Sequence, residues 1–208
     1  DQVHLYEELK LRVLNAGHQI LANVGEVLAI PTIADCMQDP LIARFFRKVQ
    51  TEEILPHIDP VPEISPQAYL DLIERRFSNP KIRDTTRRVA FDGTSRHAGF
   101  VIPVIKSAVA SDMPVRGLAL VEAFWSRMCT GTREDGSVIE PNDAAWSSLQ
   151  ENALAAQQDP LVWLRQSKYY GDLAESQAFA SQFSDWISSI YEVGCRETMR
   201  VYLNEPDG

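Results

Sequence analysis

Basic residues are the minority charge in this chain: 20 Lys and Arg stand against 29 Asp and Glu, a formal net charge of −9. That balance leaves no basic face for nucleic acid or for an anionic membrane surface. Long apolar runs are missing as well, and none approaches the roughly 18–20 residues that span a bilayer. The opening Asp1-Gln2-Val3-His4 lacks the basic-then-apolar order of a secretory signal, and no initiator Met precedes it. The chain is therefore expected to be one part of a longer protein. Cysteine is scarce: Cys36, Cys129 and Cys195 form no CxxC pair, and an odd number cannot pair fully within the chain. Free thiols in a reducing, cytoplasmic compartment are the expected state. The four His (His4, His18, His57, His97) show no HExxH or other zinc spacing, so no metal site is expected. The ten Gly never build GxGxxG after a strand, GxxxxGK[ST] or GxSxG, which excludes a nucleotide cradle or a serine-hydrolase elbow within these residues.

What is present is an ordinary ordered chain. Of its 208 residues 45% are hydrophobic and four are Trp, which rules out intrinsic disorder and supplies a sizeable core. Helical periodicity dominates. From Leu5 to Ile30 the apolar positions step mostly by three, four or one, giving a helix with a wide buried face and Pro31 as its stop. Asp39-Pro40, Ser65-Pro66, Asn79-Pro80 and Asp159-Pro160 each read as an N-cap followed by Pro at the first helical position. The Asp39 cap opens a helix through Phe45, Val49 and Ile54, followed by an extended loop over 56–62. Further helices are expected near 67–77, 81–91, 97–110, 114–129, 142–156, 160–168 and 175–203. The last carries the stripe Phe179, Phe183, Trp186, Ile187, Ile190 and Tyr191. Alternating strand patterns are scarce, and 130–136 is polar and turn-forming. The expected fold class is all-α, one multi-helical domain over 1–208.

Two polar clusters interrupt this apolar frame. In an α-helix at about 100° per residue, Lys10, His18 and Asn15 fall at roughly 0°, 80° and 140°, so their polar ends can converge on one small ligand. A desolvated Lys is a usable base near neutrality, and Asn with His supplies neutral donors to an oxygen that gains charge. A helix with one solvated edge and a core imidazole explains the same residues. The second cluster surrounds the turn at Asp92-Gly93, which Arg88 and Arg96 flank. Both guanidinium groups can point into one pocket and donate to hydroxyls or a carboxylate, or can simply be solvated on a loop.

At these clusters the chain resembles a known family. Lys10-x4-Asn15-x2-His18 is similar to the active-site signature of the polyol-specific long-chain dehydrogenases, the mannitol 2-dehydrogenase family. The wider run from Tyr6-Glu7-Glu8-Leu9-Lys10 to Leu14-Asn15 resembles it too. So do Asp39-Pro40-Leu41, Arg76-Phe77-Ser78-Asn79 and Arg88-Val89-Ala90-Phe91-Asp92-Gly93-Thr94-Ser95, and a weaker likeness continues to Tyr202. The resemblance implies a metal-independent enzyme with an N-terminal Rossmann domain for NAD(P), absent from this chain. It also implies a C-terminal helical domain like that of 6-phosphogluconate dehydrogenase, which this chain resembles.

By the same resemblance, Lys10 is the catalytic base, and Asn15 and His18 hold the substrate oxygen and its neighbour hydroxyl. Arg88 binds substrate, and Glu7 gates proton exchange with solvent. Arg96 stands where mannitol dehydrogenases carry Lys, and Ala16-Gly17 precedes His18 where Gly-Ser is commoner. Both departures bear on which polyol is taken, because a guanidinium and an ammonium differ in reach and geometry. Mannitol/fructose is the first expectation, with arabinitol/xylulose or sorbitol/fructose beside it. A hexuronate (fructuronate or tagaturonate) reductase and a non-catalytic helical interaction domain are the alternatives. The expected partners are a small polyol or ketose, the chain's own Rossmann domain, and a second copy in a homodimer.

Overall fold

The computed structural model describes residues 2–204, and every regular element among them is helical. Extended pairing is confined there to isolated bridges, such as Thr32 with Thr85. Helix α1 (Gln2–Leu9) runs through a π-helical turn at Lys10–Asn15 into α2 (Ala16–Val27). The single helix expected from Leu5 toward Pro31 is thus continuous, but it is not α-helical throughout. Its burial also changes along its length. Every residue of α2 except His18 is buried, whereas Tyr6, Glu7 and Lys10 lie exposed. A helix buried on all sides belongs to the core.

Chain reversal after α2 is local. Ile30 N–H donates to the Gly25 carbonyl at 2.8 Å, and Ala29 takes the left-handed φ of 58° that helix ends usually give to Gly. Thr32 then caps α3 (Ile33–Gln38), and Asp39 accepts from Leu41 N–H at 3.0 Å to cap α4 (Pro40–Val49). A second π turn (Gln50–Ile54) and a 3₁₀ turn (Leu55–His57) follow. Ser65 caps α5 (Pro66–Phe77).

The Asn79-Pro80 signal behaves differently. Asn79 Oδ1 accepts from Lys81 N–H in a local turn, and α6 begins only at Thr86 (Thr86–Ala90), capped by Thr85. Between them Ile82 is exposed, so no apolar face holds that stretch against the core. Next come α7 (Gly93–Arg96), a π turn (His97–Val101), α8 (Ile102–Ala110) and α9 (Arg116–Met128). The expected helix 97–110 therefore starts four residues early. The helices α10 (Trp146–Ala155), α11 (Leu161–Leu164), α12 (Ser167–Tyr170) and α13 (Gln177–Asn204) complete the order, with 160–168 split in two.

At the centre α9 lies against both α2 and α13, while α6 and α4 pack on these from either side. Phe45, Phe124, Trp125, Trp163, Phe179, Phe183 and Trp186 fill the space between them. Helix α9 has no side-chain cap of its own. The Glu53 carboxylate, from the π turn after α4, accepts from Gly117 N–H at 2.6 Å and Leu118 N–H at 2.8 Å. Burial pushes its carboxyl up to about 7 against these two hydrogen bonds, which favour the charged form.

The terminal stripe is buried as expected except at Tyr191, over whose ring the Arg127 guanidinium sits at 5.9 Å. Helix α13 is broken at Gly194, where φ is 86° and ψ 169°. Glu134 Oε1 accepts the freed Cys195 N–H at 2.6 Å. These angles are essentially reserved to Gly. Gly194→Ala should cost the 208-residue chain about 2 kcal/mol, read as a lower urea midpoint at unchanged slope. An unchanged midpoint would show that the break is not required.

Candidate functional site

The π turn at Lys10–Asn15 is the local event that shapes the site. Ala16 N–H donates to the Leu11 carbonyl, an i→i+5 bond that widens the helix. In an α-helix Lys10 and Asn15 stand roughly 140° apart; in a π turn residues five apart stack on one side. From the side, Gln50 Nε2 donates to the Val13 carbonyl of this turn at 2.8 Å. Gly17 makes room for that amide, since a Cβ there would meet Gln50 Nε2 at 2.6 Å. Gly17, an unusual residue in the signature, thus has a packing reason.

Asn15 and His18 line a cavity of about 310 Å³ together with Asp92, Ser95, Arg96 and Phe100. The His18 ring stacks on Phe77 at 4.3 Å and 7°. Its Nε2 is buried without a hydrogen-bond partner, 3.9 Å from Asp84 Oδ2. Burial pulls the His18 pKa down to about 4, opposed by Asp84 and helped by Arg88, Arg76 and Arg96. At neutral pH the ring is uncharged and carries one N–H. It is therefore not the satisfied core imidazole of the plainer reading.

Arg96 reaches the cavity from α7, whose start is tightly held. Asp92 adopts a left-handed φ of 58°, and its N–H donates to the Asn142 carbonyl at 2.8 Å. Asp143 accepts from Thr94 N–H at 2.9 Å and from the Thr94 hydroxyl at 3.1 Å. Gly93 lies against Trp125, where a Cβ would meet Nε1 at 2.7 Å.

Arg96 also lines a second, larger cavity of about 740 Å³, whose wall includes Arg87, Arg88, Arg133 and Phe91. Arg88 is 64% exposed and paired with Asp84, while Arg133 faces Glu26 at 3.5 Å. On an acidic chain this concentration of cations is local. The expectation that Arg88 and Arg96 share one pocket matches this cavity.

Two of the expected site residues sit apart. Lys10 is exposed and lines neither cavity. The desolvation expected around it is not supplied by these residues. Glu7 lines a third cavity of about 340 Å³ with Arg12 and Phe100, so only Phe100 links it to Asn15 and His18. Residues to which the sequence reading gave no place in the site are Phe77, Asp84 and Phe100. Apolar side chains at helical spacing read as core, and Asp84 reads as the i,i+4 partner of Arg88. Among the described residues no three His, Cys, Asp or Glu form a metal-binding group, and no helix is long and apolar enough to cross a membrane.

Fold and site together define an all-helical domain with a polar, cation-rimmed cleft. Residues 2–191 match the family described as the mannitol dehydrogenase C-terminal domain, and the chain belongs to that family. The mannitol 2-dehydrogenase of Cereibacter sphaeroides is 42% identical over 97% of this chain, which spans 42% of that relative. That of Phaeosphaeria nodorum is 29% identical over 97% of this chain and 35% of its own length. The chain thus spans about two fifths of the length of the curated relatives it matches. Among solved structures, Pseudomonas fluorescens mannitol 2-dehydrogenase in ternary complex with NAD and D-mannitol superposes with a TM-score of 0.92. It is 27% identical, with 99% of this chain and 42% of that one covered. A substrate-free D-sorbitol dehydrogenase, 22% identical, shares the fold with a TM-score of 0.84 over 95% of this chain and 41% of that one.

The low His18 pKa has a measurable consequence. In the unfolded chain the ring takes a proton near 6.5, while the folded ring resists it until about 4. The neutral ring's contribution is therefore complete above pH 6.5 and lost as pH falls to 4, on the order of 2–3 kcal/mol. Urea titrations of wild type and His18→Gln across this window should show the difference shrinking toward acid. A pH-independent difference would mean the ring titrates normally.

Proposed function

We propose that this chain is the substrate-binding and catalytic half of an NAD-dependent, metal-independent polyol dehydrogenase. Its reaction interconverts a polyol and its 2-ketose, with mannitol and fructose the first choice and arabinitol/xylulose or sorbitol/fructose next. The observation that carries the reading is the shared cavity of Asn15, neutral His18 and Arg96, reached along the π turn that begins at Lys10. In this reading Lys10 takes the proton of the C2 hydroxyl. The Asn15 amide and the His18 N–H donate to the oxygen as it gains negative charge. Arg96 and Ser95 hold hydroxyls further along the substrate. Glu7, one turn before Lys10, passes the proton on to solvent.

The described residues offer no strand and glycine-rich turn for a pyrophosphate. The dinucleotide is therefore assigned to a Rossmann-type domain in the part of the relatives' length that this chain does not span. NAD held there supplies the hydride acceptor. Closure of that domain over the cleft gives Lys10 the dry surroundings it lacks here. Three buried free thiols, Cys36, Cys129 and Cys195, support a reducing, cytoplasmic setting. A second reading, reduction of a hexuronate, is favoured by the four Arg around the larger cavity.

The deciding experiment joins the chain to its dinucleotide-binding domain and follows NADH with mannitol, sorbitol, arabinitol, ribitol and hexonates, with and without chelator. Chelator-resistant oxidation of one polyol should fall by about 10²–10⁴-fold in Lys10→Ala. Turnover of hexonates alone would select the second reading. No turnover of any of them would overturn both and leave a helical interaction domain.

Phe91 is 51% exposed beside the larger cavity, and Val138, next to its lining residue Ser137, is 63% exposed. We assign this apolar face to the interdomain contact. Alone, the 208-residue chain should self-associate at micromolar concentration in sedimentation velocity, and less once joined to the second domain. A monomer throughout would count against the assignment.

A further inference from the structure

Beneath the cleft lies a polar cluster that the proposed chemistry does not use. His97, Glu122, Tyr170 and Trp163 are each fully buried. His97 Nδ1 lies 2.6 Å from Glu122 Oε1, and the Tyr170 hydroxyl lies 2.5 Å from Glu122 Oε2. Trp163 Nε1 donates to the same hydroxyl at 2.7 Å. On the other side of the ring, His97 Nε2 meets Asn23 Nδ2 at 3.0 Å.

Proton positions in this cluster follow from one backbone group. Asn23 Nδ2 also faces the Gln19 carbonyl at 3.0 Å, and a carbonyl can only accept. The amide is therefore turned with its NH₂ toward both neighbours, and His97 Nε2 must accept. The remaining ring proton sits on Nδ1 and donates to Glu122. Glu122 then takes two donors, His97 N–H and Tyr170 O–H, as a carboxylate does. The donors converge on Glu122 from two sides: Trp163 gives to Tyr170 and Tyr170 to Glu122, while Asn23 gives to His97 and His97 to Glu122.

This hydrogen-bonded chain crosses the elements that form the two walls of the 310 Å³ cavity. Asn23 shares α2 with His18. His97 follows Arg96 directly and opens the π turn that carries Phe100. The His97 ring stacks on Trp125 at 4.1 Å and 5°, and Trp125 is the surface against which Gly93 of α7 rests. Loss of a hydrogen bond anywhere along the chain would let the Arg96 wall shift against the His18 wall.

We infer that His97, Glu122 and Tyr170 are positioning residues that set the spacing between His18 and Arg96, and so the fit of the polyol. The inference rests on the proposed function only for its kinetic arm. Tyr170→Phe removes one hydroxyl from the far end of the chain, touches no cavity residue and keeps the ring's packing. In the 208-residue chain with labelled His, Arg and Phe, NMR should show His97 protonated at Nδ1. Tyr170→Phe should move the Arg96 Nε–H and Phe100 resonances. In the two-domain protein the same variant should raise KM for the preferred polyol by about tenfold with kcat changed less than about twofold. Glu122→Gln, which sets an NH₂ against one of the two donors that meet there, should do at least as much.

Unmoved Arg96 and Phe100 signals would overturn the inference whatever the activity. So would a lowered melting temperature with KM unchanged, the mark of a purely structural cluster. If wild type oxidises no polyol, the proposed function fails and the NMR arm alone decides this inference.

Discussion

Helix α2 meets water at almost none of its residues, yet it carries Gln19, Asn23 and Glu26 into the core. A buried polar group left without a partner costs about 1–3 kcal/mol, so these three side chains constrain everything packed against them. Gln19 donates to the Val89 carbonyl, Asn23 meets His97, and Glu26 faces Thr86 and Arg133. All of these partners except Arg133 lie between residues 86 and 97, the segment that also carries Arg88 and Arg96. The register of that segment along α2 is therefore set by polar pairing, and the cleft is its by-product.

The cleft sits where the long N-terminal rod passes from half-solvated to fully buried. The π turn lies at that boundary, and Gln50, just past α4's end, donates to its Val13 carbonyl. On the wet side Lys10 is exposed. On the dry side His18 is held uncharged by burial against Phe77. The burial gradient thus sets an exposed Lys10 at the rim against an uncharged His18 inside.

Local chemistry was readable in advance wherever it stayed local. Asp39 and Ser65 cap their helices as their sequences imply, because a side-chain oxygen two or three residues from an N–H needs no distant partner. Asn79 fails the same test because no apolar face follows it. The π turns were invisible, since six residues of apolar spacing cannot separate a four-residue from a five-residue hydrogen-bond step. Asn15, His18 and Arg96 meet around one cavity, while Glu7 opens into another. Phe77 and Phe100 were given no place in the site because an aromatic at helical spacing looks the same whether it fills a core or floors a cleft.

The sequence by itself determined the all-helical class, most helix starts, the absence of a nucleotide cradle within these residues and, through the run from Lys10 to His18 and the Arg88–Ser95 stretch, the family. These depend on neighbours within a few residues. Only the tertiary structure decided that Glu53 caps α9 from 64 residues away, that Trp125 supports the Arg96 turn, and that Asn23, His97 and Tyr170 join in one hydrogen-bonded chain through Glu122. Such pairings have no period and no spacing rule. They exist because burial forces distant polar groups to find one another, and which ones meet is known only once the helices are packed.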